Sequence, residues 1–220
     1  MTDTTHEVRH CIVGAGPGGL AALRAMLQVG LKVDVFEKHS AAGGIWDRTN
    51  EGTPMYESAH FISSRDESAY LGLPMPKSFP DYPRHDQILD DLRSFADAYG
   101  LNEHIQFNTS VQHADWDGGA WVVRTSDDST RRYRTLTCAN GTQWHASMPS
   151  LPGQDGFTGE IIHSQKYQTG SQSPASGCSW SVPETPAWIL PVMRRASRPP
   201  LPSGAAWLLP DPQAHLWNAG

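Results

Sequence analysis

No apolar run in the 220 residues approaches the roughly 20 that a helical membrane span requires, so no such span is expected. Basic residues are outnumbered, 17 Lys and Arg against 23 Asp and Glu. The resulting net charge of −6 argues against a nucleic-acid partner held through its phosphates. The opening stretch, Met1 to Glu7, has neither a basic n-region nor an apolar core, so no secretory signal is expected there. Cysteine is scarce. Cys11, Cys138 and Cys178 are odd in number and widely spaced, which points to reduced thiols and a cytoplasmic location rather than a disulfide framework. Histidine is more plentiful, but no ligand pattern with Cys or Glu emerges. His6 and His10 stand four apart yet flank a strand, and no metal site is expected.

What the chain does have is concentrated in its first forty residues. The apolar run Cys11-Ile12-Val13 leads into Gly14-Ala15-Gly16-Pro17-Gly18-Gly19. An apolar-periodic segment follows through Leu20, Leu23, Leu27 and Leu31, then a second apolar run, Val33 to Phe36, ending in Glu37. This reads as strand, tight glycine turn, helix, strand, with an acid at the tip of the second strand: the layout of a dinucleotide site. Gly14 permits the sharp turn, Gly16 lets a pyrophosphate approach the backbone, and Gly19 allows close helix–sheet packing. The helix N-terminus offers free N–H groups to phosphate. Glu37, eighteen residues after Gly19, stands where a carboxylate would bind ribose hydroxyls.

Beyond this unit comes Gly43-Gly44-Ile45-Trp46, where Trp46 reads either as an aromatic wall for a flat ligand or, favoured on its own, as a core residue. Residues 47–84 carry too many prolines for a helical period and read as a long ordered loop. From Arg84 the residues Ile88, Leu89, Leu92, Phe95, Ala96 and Tyr99 recur at helical spacing until Gly100, with Asp86, Asp90, Asp91 and Arg93 as a solvated face. Ile105–Asn108 with Val111, then Ala120–Thr125, then Arg131–Leu136 are expected to form a small antiparallel meander. Leu136 to Gly141 should return to the parallel sheet beside the first strand. The fold class is therefore α/β, a Rossmann-like parallel sheet carrying a small antiparallel insertion.

Phe157, Gly159, His163 and Tyr167 match the F-x-G-x-x-x-H-x-x-x-[YF] fingerprint of the flavin-containing monooxygenases. Gly43 to Trp46 match that family's G-G-x-W, and Leu136 to Gly141 with Pro149 and Pro152 resemble its linker strand. The chain resembles this family over about residues 8–170. The resemblance implies FAD along Gly14, Gly16, Gly19 and Glu37, with Gly44 and Trp46 near the flavin side. It also implies NADPH as reductant, O2, and oxygenation of a soft nucleophile, an amine or sulfide, through a hydroperoxyflavin. Many relatives carry an Asn in the loop after G-G-x-W. Here that stretch runs from His60 to Arg65 without one, and Ser63 or Ser64 are the candidates to replace it as hydrogen-bond donor.

Composition changes from about Ser171. The last fifty residues hold nine of the seventeen prolines and four of the eight tryptophans, with Glu184 and Asp211 the only acids, and no second glycine motif follows the fingerprint. Two domain-level units are expected: a FAD-binding domain over 1–171 and a Pro/Trp-rich tail over 172–220. One reading of the tail is a disordered or partner-binding segment. A second comes from the genetic code. If the third base of each codon from Ala175 to Arg194 is read with the first two of the next, the permitted products include Gly-Lys-Arg-Val-Leu-Val-Val-Gly-Ala-Gly-Asn-Ser-Gly. That is a strand and a G-x-G-x-x-G turn, as in an NADPH domain, which would put residues from about 173 onward out of frame. Three functions follow: a flavin monooxygenase acting on a small molecule, a FAD-binding module without turnover, or an interaction protein using the Pro/Trp tail.

Overall fold

The computed structural model describes residues 9–150, 153–156, 158 and 160–172. Its frame is a parallel sheet built from the first unit outward. Strand β1 (Arg9–Val13) runs into helix α1 (Pro17–Gln28), which returns the chain to β2 (Lys32–Phe36). Pro17 opens α1, where its missing N–H costs nothing. Gly30, at φ 77°, ends it, with its N–H donating to Leu27 O. Residues 47–84 form the expected loop apart from one short helix, α2 (Arg65–Ser68). Helix α3 (His85–Ala98) follows, then β3 (Ile105–Gln106), β4 (Val111–Trp116), β5 (Trp121–Thr125), β6 (Thr130–Tyr133) and β7 (Thr135–Cys138).

The main sheet has the order β3-β2-β1-β7, with all pairings parallel, and the second sheet is the antiparallel β4-β5-β6. Side chains alternate across β1 and β2 with the period of two that a pleated strand imposes. Ile12, Val33 and Val35 face α1 and α3 and join Leu20, Leu23, Ile88, Leu92 and Phe95 in the larger core. Cys11 and Phe36 face the other way, onto Val123 and Tyr133 of the meander. On that second face Asp34 is buried but paired. Tyr133 donates its hydroxyl at 2.9 Å and Arg9 donates Nε at 3.1 Å, so a charge inside the sheet fixes where the meander docks. Burial, with Asp34 nearby, pushes the Cys11 thiol up to about 12, leaving it an unreactive core residue.

Three sequence expectations change. Ile105 pairs with Val35 in the parallel sheet and is not the first strand of the meander. The run from Arg131 to Leu136 is two strands in two sheets, divided at Arg134, whose N–H donates to Arg9 O. Asp91 is not on a solvated face: it is buried, and burial raises its carboxyl above the ordinary value. The return of the chain beside β1 is as expected, with Ile12 opposite Thr137. Among the described residues no helix is long and apolar enough to cross a membrane, and no group of acids, histidines and cysteines could hold a metal ion. Cys178 and the tail from 173 lie outside the described residues.

Candidate functional site

The glycine turn is set by crowding. Gly14 sits at φ 101°, and a Cβ there would lie 2.6 Å from Ala139 O. A Cβ on Gly19 would lie 1.9 Å from Gly14 O, so α1 starts tight against the turn that feeds it. Gly16 is the N-cap and supplies no side-chain hydrogen bond, which leaves the first-turn N–H groups of α1 open to an external acceptor. A Cβ on Gly16 would meet only Gly44 Cα, at 3.7 Å, so the chain itself does not forbid one; its absence leaves the backbone bare toward a ligand.

Glu37 completes the turn. One carboxylate oxygen accepts from Ala15 N at 2.7 Å, the other from His39 N at 2.9 Å. The side chain is therefore held by two backbone donors of the segments it joins. Each oxygen keeps a second lone pair, which suits a pair of vicinal hydroxyls. A carboxylate in this place repels a 2′-phosphate, so the turn fits an unphosphorylated ribose.

The Gly43–Trp46 loop is fused to the turn. Gly43 N donates to Ala15 O at 3.1 Å, and a Cβ on Gly44 would come within 3.0 Å of Gly16 Cα. Side chains that sequence reasoning missed hold this loop by its carbonyls. Asn50 Nδ2 donates to Gly44 O at 2.8 Å, Thr53 Oγ1 to Ile45 O at 2.6 Å, and Arg93 Nε to Ala42 O at 3.3 Å. Arg93 Nη2 also reaches Asp47 Oδ2 at 2.6 Å, while Asp47 Oδ1 accepts from Thr49 N at 2.9 Å. Burial opposes the Asp47 charge, but Thr49 and Arg93 outweigh it and hold the carboxyl below its usual range. The spacing of Asp47 and Thr49, an Asx turn, was the one signal in the sequence for this arrangement.

Trp46 lies edge-on to Phe61, with ring centroids 5.3 Å apart. The two line a cavity of about 170 Å³ with Ile45, Met55, Ala59 and Ile62. Trp46 is thus both wall and packing residue. Ser63 is exposed and Ser64 caps α2, its hydroxyl accepting from Glu67 N at 3.4 Å; neither lines the cavity. Of the fingerprint, Phe157 and Gly159 lie outside the described residues. His163 Nδ1 accepts from Gln165 N at 3.1 Å, starting a single turn of 3-10 helix. Tyr167 is buried against Tyr56, Met55 and Ala59 in a cluster that includes Trp46. The end of the fingerprint therefore packs behind the loop that leans on the glycine turn.

Residues 7–174 match the family described as flavin-binding monooxygenase-like. The chain belongs to the flavin-binding monooxygenase-like family. It is 32% identical to flavin-containing monooxygenase 1 of Oryctolagus cuniculus over 174 residues, 73% of this chain and 32% of that protein. Among solved structures, a flavin-containing monooxygenase from Stenotrophomonas maltophilia superposes with a TM-score of 0.65 at 26% identity, covering 75% of this chain and 48% of the other. An oxidized steroid monooxygenase bound to NADP superposes at 0.57 with 31% identity, covering 71% of this chain and 30% of the other. The chain spans about a third of the length of the curated relatives it matches.

The residues present fit the flavin dinucleotide that this family's description implies. The turn offers bare backbone and a helix N-terminus to phosphate. Glu37 offers free lone pairs to an unphosphorylated ribose, and an aromatic-walled cavity opens off the loop beside it.

Proposed function

We propose that this chain supplies the FAD-holding part of a flavin-dependent monooxygenase, which uses NADPH and O2 to oxygenate a soft nucleophile such as an amine or sulfide. When bound, the flavin supplies the redox and oxygen chemistry. The chain's own residues bind and orient it. Gly14 and Gly19 hold the turn, Gly16 exposes backbone to the pyrophosphate, and Glu37 takes the adenosine ribose. Gly44 keeps its loop against the turn, and Trp46 with Phe61 presents an apolar wall that excludes water from the ring's side. Tyr167 braces that loop from behind, and His163 starts the 3-10 turn that leads into Tyr167. Ser63 and Ser64, the hydroxyl candidates of the stretch from His60 to Arg65, stand beside this cavity without lining it.

The observation that carries this reading is the Glu37 carboxylate, fastened by Ala15 N and His39 N at the end of β2 with lone pairs to spare. We further propose that 1–171 is the FAD-binding domain, that 172–220 is a separate tail, and that the protein works in the cytoplasm. Support for the first boundary is the extent of the family match, which ends at 174.

The test begins with the purified chain saturated with flavin. Heat-released cofactor should run as FAD and not as FMN. Addition of NADPH with a dialkyl sulfide should consume NADPH and yield the sulfoxide. A yellow protein that consumes no NADPH leaves FAD binding intact and removes the oxygenase activity from this chain. A protein that retains no flavin removes both.

A further inference from the structure

Beyond Glu37, at the open end of β2, three side chains gather that the dinucleotide-turn logic does not use. Lys38 Nζ sits 3.9 Å from the ring centroid of Trp144, and the His39 ring lies 5.1 Å from the same ring, tilted by 43°. His39 Nδ1 is 3.1 Å from Glu37 Oε1, so the cluster adjoins the carboxylate expected to hold the adenosine ribose. The base of a nucleoside leaves the ribose from the carbon next to its 2′-hydroxyl. A carboxylate that grips both hydroxyls therefore places the base within one ring's width of itself.

Trp144 is not a loose surface residue. Its Nε1–H donates to Asn140 O at 2.8 Å. Gln165, within the fingerprint segment, donates Nε2 to Trp144 O at 2.9 Å and to Gly52 O at 2.7 Å. The loop after β7 is thus tied to both its own strand end and the loop beneath it, yet the indole stays half-exposed. An indole fixed by its N–H and its backbone, half-exposed and with a cation beside its ring, offers a flat electron-rich surface for another flat ring.

We propose that Trp144, with Lys38 and His39, forms the stacking platform for the adenine base of the dinucleotide. This rests on the reading that the glycine turn and Glu37 bind FAD. Trp144 then selects FAD over flavin ligands that lack the adenosine. Lys38 holds the indole in place, and His39 links the platform to Glu37.

The experiment uses the full chain. FAD is titrated by flavin fluorescence, and ADP, which has the base and ribose but no flavin, is titrated by competition. Trp144→Ala, Trp144→Phe and the wild type are compared, with thermal melts confirming that each folds. Loss of one base–aromatic stack should weaken FAD and ADP by the same factor, about tenfold, in Trp144→Ala. Trp144→Phe should lose under about threefold, because a ring remains. Trp144→Ala with unchanged affinity for both ligands overturns the proposal, as does a loss confined to FAD, which would place Trp144 at the flavin end. If Trp144→Ala does not fold, Trp144→Phe and Lys38→Ala carry the comparison, and unchanged ADP affinity in both overturns it. If the wild type binds neither ligand, the FAD reading falls and the platform with it. If the wild type binds and the variants match it, only the platform falls.

Discussion

At Gly14 and Gly19 the fold has no room for a side chain, whereas from Ala42 to Thr53, a single 3-10 turn among loops, it depends on side chains to hold several of its carbonyls. The two regions touch, through Gly43 N and Ala15 O, and together make one surface. The turn is rigid because its neighbours are backbone atoms that cannot yield. The loop is held by replaceable hydrogen bonds from Asn50, Thr53 and Arg93, each worth about 1 kcal/mol. A substitution in the turn should therefore destroy the site, while one in the loop should loosen it by degrees.

The sharpest break of that contrast is Gly19→Ala. Its Cβ would meet Gly14 O at 1.9 Å, and the turn must shift to admit it. We expect a loss of about 3–4 kcal/mol in unfolding free energy and no measurable FAD binding. Denaturant melts and a flavin titration check this, and a stable, FAD-binding variant would show that the turn is not rigid.

Next comes Arg93→Met, which removes the partner of Asp47 and the donor to Ala42 O. Because Arg93 is partly solvent-exposed, we expect only about 1–2 kcal/mol. The sign of its pH dependence follows from Asp47, whose carboxyl is held below its ordinary value in the folded chain. That stabilisation is complete above the ordinary carboxylate value of about 4 and is lost as pH falls through the depressed folded value. The gap between wild type and Arg93→Met should therefore narrow when melts are repeated at decreasing pH below about 4. A gap independent of pH would mean that the arginine acts by packing alone.

Asp91→Asn tests the other side of α3. Burial raises the Asp91 carboxyl, so the folded state carries a cost once that group is ionised. The variant should be more stable than wild type by about 0.5–1 kcal/mol at neutral pH. The advantage should fade as pH falls through the raised folded value toward the ordinary one near about 4. Ser64→Ala should matter least. Its hydroxyl caps a single-turn helix, so about 0.5 kcal/mol is expected with FAD affinity unchanged. A large fall in affinity would return Ser64 to the site.

The same contrast explains what could be read from the sequence. The turn is written in glycines at fixed spacing, each with one physical reason, and Gly14, Gly16, Gly19 and Glu37 stand together in the fold as that spacing implies. The loop is written in polar residues whose partners are carbonyls far along the chain. Nothing local in Asn50, Thr53 or Arg93 says which carbonyl each will meet. Asp91 was legible in principle: it lies three after Ile88 and four before Phe95, on the apolar face, but its charge outweighed its position. Ile105 was misplaced because β3 is two residues long and its partner, Val35, is far away in sequence. The tail has a test of its own in the gene. Shifted-frame codons encoding the glycines of a second G-x-G-x-x-G from about 173 onward support an out-of-frame segment, and a stop codon or their absence there rules it out.

The central claim is that Glu37 and the glycine turn form one FAD site. The most direct measurement is a flavin-fluorescence titration of FAD into wild type and Glu37→Gln, both checked for folding. The account predicts saturable one-to-one binding in the wild type, weakened about 10- to 100-fold when the charged acceptor is lost. Saturable binding that is unchanged in Glu37→Gln, or no saturable binding by a folded wild type, would contradict it.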